Sequence, residues 1–150
     1  EFNYLGIEVY ASGVGRLIMD LELHAIENVR ILQQDAIAVL RHMIAPRSLA
    51  GIHVFYPDPW PKKRHHKRRL MQYPIVFLMA QKLMPGGYLY CVTDIEEYAS
   101  FAKASLDACS LLENQYEGFA PFQPWRPETR FENLAKEAGN QHFELFYRKN

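Results

Sequence analysis

Apolar residues recur along this chain in two periods that alternate almost from end to end. Residues 2–9 carry Tyr4, Leu5, Ile7 and Val9 in a run that predicts a buried strand, with Glu8 near its carboxyl end. Val14, Leu17, Ile18 and Leu21 then follow the i, i+3, i+4, i+7 spacing of a helix that Ser12 can cap. A second short strand is expected over 29–32, with Asp35 at its end, and a brief helical pattern over 36–43. Pro46-Arg47-Ser48 turns the chain into a third strand, 51–56, where Ile52, Val54, Phe55 and Tyr56 leave no polar face. Such a run suits a parallel strand covered on both sides.

The second half continues the alternation. Residues 74–84 read as a helix with Val76, Phe77, Ala80 and Leu83 on one side, stopped by Pro85-Gly86-Gly87. A fourth strand over 88–92 ends at Thr93-Asp94, and a helix over 97–109 turns Tyr98, Phe101, Ala102 and Leu106 inward. Residues 111–127 are irregular and rich in aromatics and prolines. Thr129 and Glu132 stand at capping-box spacing before a short helix, and Phe143, Leu145 and Tyr147 alternate as a last strand. Strand and helix in turn predict one α/β domain with a mostly parallel sheet and right-handed crossovers. Ligands of such sheets lie beyond the carboxyl ends of the strands. Glu8, Asp35, Asp58 and Asp94 all fall at or just past such ends. A lone acid there is more simply a helix cap or a solvated loop residue, and Asp35, directly before a helix, is the most open to that reading.

Composition changes the picture at one place. The 150 residues carry zero formal net charge, yet six Lys/Arg and two His occupy the eight positions from Lys62 to Arg69. The protein is therefore polarised, not generally basic, and any polyanion contact is local and sensitive to salt. A basic run by itself is as consistent with a solvated loop. Here it follows Pro57-Asp58-Pro59-Trp60-Pro61, where three prolines fix φ and withhold N–H groups. A stiff turn that presents an acid and an aromatic ring beside a cationic segment has the parts of a reaction site next to a phosphate-binding surface. Trp60 can stack on a base or pack the loop onto the domain.

Cys91 and Cys109 have no metal-type spacing and read as buried free thiols, His65 and His66 lack partners at metal-like spacing, and no metal is expected. His24, His42, His53 and His142 are scattered and need no more than surface or packing roles. No apolar run approaches the ~20 residues that cross a bilayer. Two cysteines favour a reducing cytoplasm.

These residues closely resemble the bacterial tRNA (guanine-N7-)-methyltransferase family. The resemblance rests on Ile7-Glu8-Val9 with Gly13-Val14, Asp35-Ala36, the block from Phe55 through Asp58 and Trp60 to His65, Thr93-Asp94, and the run from Arg126 to Glu132. It implies a class I methyltransferase with a Rossmann-like, mostly parallel sheet and helices on both faces. It also implies S-adenosylmethionine as cofactor and methylation of a guanine in the tRNA variable loop. By the same resemblance Glu8 binds the cofactor ribose, Asp35 lies against its adenine, and Asp58 is the catalytic residue. Lys62 and Asp94 contact substrate, while Thr129, Arg130, Phe131 and Glu132 close over the target guanine. Arg64, His65, His66, Lys67, Arg68 and Arg69 hold the RNA. The implied partner is tRNA, for a cytoplasmic monomer or homodimer with no membrane.

The chain departs from the family pattern at Arg130, where Lys is usual, at Asn133-Leu134, where Arg-Gly is usual, and at Asn140, where His is usual. The family's first, central strand and its glycine-rich turn are absent from this chain, so the reading is of an amino-terminally incomplete domain over residues 1–150 with weakened cofactor binding. A non-catalytic tRNA-binding fragment, and a methyltransferase acting on a small molecule, are the competing expectations; cofactor binding and tRNA competition separate them.

Overall fold

Hydrogen-bonded strands fall into two separate sheets in the computed structural model, which describes residues 2–150. They lie in two compact units, one ending at Ile44 and the other spanning Ala45–Asn150.

In the first unit β1 (Tyr4–Ile7) pairs in parallel with β2 (Val29–Leu32), in a register that sets Tyr4 against Val29 and Ile7 against Leu32. The helix α1 (Ala11–Leu23) crosses between them and α2 (Ala36–His42) follows. Two expectations change here. The first strand is shorter than its apolar run, and Tyr4, Leu5 and Val9 are exposed instead of buried. A two-stranded sheet with two helices has too little surface of its own to cover them, and no residue of α1 is buried. Nor does Ser12 cap the helix: α1 starts at Ala11 behind Tyr10, with no side-chain cap. The Glu8 carboxylate accepts the N–H groups of Val9 (2.9 Å) and Tyr10 (3.1 Å), which turns the chain ahead of Ser12.

The second unit holds a four-stranded sheet in the order β3-β4-β6-β5. Here β3 (Leu49–Phe55) and β4 (Leu83–Thr93) are parallel, while β6 (Phe143–Lys149) runs antiparallel to both β4 and β5 (Leu112–Asn114). The consequence for the site is geometric. Thr93 pairs with Phe143, so the amino end of β6 lies at the carboxyl end of β4, where a ligand of a parallel sheet is expected.

The crossover helix α3 (Tyr73–Lys82) ends two residues earlier than its pattern suggests. Leu83 already has extended backbone and pairs with Leu49. Pro85-Gly86-Gly87 therefore forms an irregularity inside β4, not a helix stop. Gly86 has φ +76°, and a Cβ on Gly87 would sit 2.9 Å from the Met84 carbonyl oxygen, so neither position suits a side chain.

The helices α3 and α4 (Glu96–Asp107) bury Ile75, Val76, Met79, Tyr98, Ala102 and Leu106. Leu89 and Cys91 of β4 are fully buried as well. Both cysteines are buried free thiols, as expected, and burial pushes the Cys91 thiol up to about 12, which makes it unreactive. Alternating with Leu89 and Cys91, Tyr88 and Tyr90 join Phe55, Phe146, His53 and Trp125 in a cluster of rings. The Tyr88 ring lies over Gly51, where a Cβ would meet it at 2.5 Å.

Candidate active site

The loop after β3 is bent at both ends by residues that pay for left-handed backbone. Tyr56 has φ +50° and Trp60 φ +42°, although neither is glycine. Each such residue costs about 1–2 kcal/mol. The strain is held by the anchoring of Tyr56, whose N–H donates to the Val92 carbonyl at 2.8 Å. Between them Asp58 stands exposed to solvent.

The basic residues that follow form a short 3₁₀ helix, Lys63–Arg68, with Lys62 before it. Lys62, Lys63, Arg64, Lys67 and Arg68 are exposed, and His65 and His66 half-buried. Trp60 packs against this segment: the Arg68 guanidinium lies 5.0 Å from its ring centre and the His65 ring meets it edge-on at 5.6 Å.

Arg69 corrects the expectation that the whole run faces RNA. Its side chain is fully buried. The guanidinium donates to Glu97 through two bonds of 3.0 and 2.6 Å, and its Nε donates to the Pro59 carbonyl at 2.8 Å. It also lies over the rings of Tyr98 and Phe101. Arg69 thus fastens the proline loop to α4, and it has no face left for a phosphate. The Arg69 hydrogen bonds hold the Glu97 carboxyl below its ordinary range.

At the carboxyl end of β4, Thr93 Oγ1 accepts the Ile95 N–H and Asp94 is half-buried. Next to it stands His142, the residue directly before β6, which sequence reasoning passed over. The Tyr56 hydroxyl and His142 Nδ1 are 2.9 Å apart, and the Phe131 ring packs 5.7 Å from that of Tyr56. His142 Nε2 is buried without a hydrogen-bond partner. An unpaired buried polar group of this kind costs about 1–3 kcal/mol. No spacing in the sequence signals this pair, because only the antiparallel insertion of β6 makes the two residues neighbours.

The helix α5 (Arg130–Glu137) has the capping box expected of it. Thr129 Oγ1 accepts the Glu132 N–H, and Glu132 accepts the Thr129 N–H. Glu132 itself, however, is not available to a base. Its side chain is 2% exposed, and both oxygens accept from Arg126, at 2.7 and 2.5 Å. Arg126 also donates to Glu144 at 3.0 Å and to the Tyr90 hydroxyl at 2.7 Å. Tyr90 in turn donates to Glu144. Burial raises the Glu132 carboxyl, but the Arg126 hydrogen bonds, the Thr129 N–H and the guanidinium charge outweigh it and bring it to about 2. Burial and the hydrogen bond to Glu144 push the Tyr90 hydroxyl up. This network ties the start of α5 to β4 and β6. It leaves Thr129 half-buried, Arg130 exposed and Phe131 66% exposed, directed away from the core.

In the first unit, Glu8 lies at the carboxyl end of β1 with one oxygen, Oε1, held by two backbone N–H groups. Asp35, at the end of β2, caps α2: its Oδ2 accepts the Ala38 N–H at 2.9 Å. The helix-cap reading of Asp35 is therefore realised. Among the described residues no group of three or more His, Cys, Asp or Glu is placed to hold a metal ion, and no helix is long and apolar enough to cross a membrane.

Comparison with known proteins adds family to geometry. The chain is 51% identical over 147 residues to a tRNA (guanine-N(7)-)-methyltransferase of Bordetella pertussis, covering 98% of this chain and 58% of that protein. It is 51% identical over 149 residues to the protein of the same name from Treponema pallidum strain Nichols, covering 99% and 58%. The chain thus spans less than two thirds of the length of these curated relatives. Similar solved structures include an rRNA methylase from Streptococcus thermophilus, with TM-score 0.63, 13% identity and coverage of 98% and 73%. Another is the N-methyltransferase NodS from Bradyrhizobium japonicum in complex with S-adenosyl-L-homocysteine, with TM-score 0.63, 12% identity and coverage of 98% and 66%. At such identities the likeness is one of fold, and the α/β class I methyltransferase class expected from the sequence holds. The sequence model of the family described as "Putative methyltransferase" matches residues 1–145, and the chain belongs to that methyltransferase family.

Proposed function

We propose that the chain carries the transfer site of a tRNA (guanine-N7-)-methyltransferase, acting in the cytoplasm on the variable-loop guanine. The observation that carries this reading is the exposed Asp58 on a loop strained at both ends and fastened by Arg69, directly beside an exposed cationic helix. A loop held so firmly for an exposed carboxylate is preorganised for a ligand.

When bound, S-adenosylmethionine supplies an electrophilic methyl group, which guanine N7 takes with a lone pair that carries no proton. The residues' work is then positioning and charge. Glu8 fits a cofactor ribose: the backbone fixes its carboxylate through Oε1, leaving Oε2 to accept from a hydroxyl. Asp35 lies against the adenine, with Oδ2 already committed to its cap. Asp58 orients the guanine by accepting from its N1 and N2 hydrogens and stabilises the positive charge that develops on the purine. Lys62 and Asp94 contact the substrate. Thr129, Arg130 and Phe131 close over the base, and Glu132 contributes by holding that segment in place. Arg64, His65, His66, Lys67 and Arg68 hold the RNA backbone, which gives affinity more than sequence choice.

The test is transfer of labelled methyl to an unmodified tRNA transcript, with and without the variable-loop guanine. Asp58→Asn is expected to lower turnover by on the order of 10²-fold, well beyond any loss of tRNA affinity. Binding of tRNA without guanine-dependent transfer would sink the reading in favour of an RNA-binding fragment.

A further inference from the structure

Among the described residues, His142 Nε2 is the buried side-chain nitrogen or oxygen left without a hydrogen-bond partner. Its neighbour gives that atom a direction. The Tyr56 hydroxyl and His142 Nδ1 are 2.9 Å apart, and between a phenol and a neutral imidazole the phenol is the stronger donor and the ring nitrogen the stronger acceptor. A neutral imidazole that accepts at Nδ1 carries its hydrogen on Nε2. The pair thus ends on an N–H with no acceptor.

The surroundings say what kind of acceptor fits. Tyr56 and Phe131 face each other with ring centres 5.7 Å apart and planes 31° from parallel. Phe131 is 66% exposed, so its other face is open to solvent. A planar base entering between the two rings would lie against Tyr56, whose hydroxyl already touches His142. On the reading above that base is guanine, and its N7 must stay free for methylation. The remaining acceptor on the same edge is the carbonyl oxygen O6.

We propose that His142 is a substrate-binding residue, whose Nε2–H donates to O6 of the incoming guanine. It therefore selects for a 6-oxopurine and fixes the in-plane rotation of the base. The inference rests on the proposed function and assigns a residue that neither the motifs nor the acids at the strand ends point to. Residue 142 directly precedes β6, whereas Arg130, Phe131 and Glu132, which are expected to close over the base, lie on α5.

The experiment has two arms. In the first, the full chain labelled with ¹⁵N-histidine is titrated with tRNA transcript, and long-range ¹H–¹⁵N spectra report the tautomer and shift of each imidazole. The free chain is expected to show His142 protonated on Nε2, and that nitrogen to move on binding. In the second, affinity is compared for tRNA carrying guanine or 6-thioguanine, which keeps N1–H, the 2-amino group and N7 but replaces O6 by a weakly accepting sulfur, at the variable-loop site. The parent is expected to bind the 6-thioguanine RNA about three- to tenfold more weakly, up to the worth of one hydrogen bond. His142→Asn keeps an amide near the Nδ1 position for Tyr56 but places nothing at Nε2. It is expected to bind both RNAs alike, and to melt no lower than the parent because an orphaned donor is gone. His142→Gln, which can reach the Nε2 position, should restore the preference. A parent that binds both RNAs equally, or an Nε2 that does not move when tRNA binds, would overturn the proposal while leaving the proposed function standing. Absence of tRNA binding would overturn both.

Discussion

Replacing Arg126 by Met removes the guanidinium from the network that joins α5 to the sheet and keeps most of its apolar volume. Five hydrogen bonds go with it: two to Glu132, one each to Glu144, Tyr90 and the Pro127 carbonyl. Two carboxylates are left behind, with side-chain exposures of 2% for Glu132 and 7% for Glu144. They retain the Thr129 N–H and the Tyr90 hydroxyl as partners, but no positive charge. Breaking a buried ion pair from one side typically costs about 3–5 kcal/mol. With a urea slope of about 2 kcal/mol/M, the unfolding midpoint should fall by about 2 M at pH 7.

The sign of the pH dependence makes the test sharper. In the parent the folded Glu132 carboxyl, at about 2, lies below its ordinary 4.5. Its contribution is therefore fully present above about pH 4.5 and is lost as pH falls toward 2. In the variant burial, which raises the Glu132 carboxyl, is no longer outweighed by the guanidinium, so acidification relieves the buried charge and stabilises the fold. The gap between parent and variant should be widest near pH 7 and narrow progressively below about pH 5. Urea titrations followed by tryptophan fluorescence at pH 7 and pH 4.5 measure it. A loss under about 1 kcal/mol at pH 7, or the same loss at both pH values, would refute the argument that Arg126 neutralises buried acids.

Four further outcomes are expected. Arg69→Met should cost about 2–4 kcal/mol by emptying a fully buried site while leaving the salt dependence of tRNA binding unchanged. Neutralising Lys67 and Arg68, which are exposed, should instead flatten log affinity against log salt by up to about two units, and filter binding across a salt series distinguishes the two. Gly51→Ala drives a Cβ to within 2.5 Å of the Tyr88 ring and should lower stability by about 1–3 kcal/mol; an unchanged melting temperature would mean that the ring moves aside freely. Thr129→Ala removes the α5 cap, with an expected loss of about 1 kcal/mol and faster amide exchange confined to the first turn of Arg130–Glu137.

The amino-acid sequence by itself determined the order of strands and helices except β5, which falls in the stretch read as irregular, together with the acids at the strand ends, the stiff proline turn and the α5 capping box. These are local matters: apolar periodicity, fixed φ at proline, and a hydroxyl three residues from a carboxylate act over a few positions. Tertiary structure alone decided which charges are spent. Arg69 and Arg68 are adjacent, and nothing in their order distinguishes them, yet one is sealed against Glu97 and the other lies exposed over the half-buried Trp60 ring. Glu132 reads as a site residue until Arg126 and Glu144 are seen to enclose it. The Tyr56–His142 pair exists only because β6 enters antiparallel to β4 and brings residue 142 to the end of β3. A side chain's availability depends on desolvation and on partners distant in the chain, and the sheet's pairing register, which carries that information, is written in no single stretch of residues.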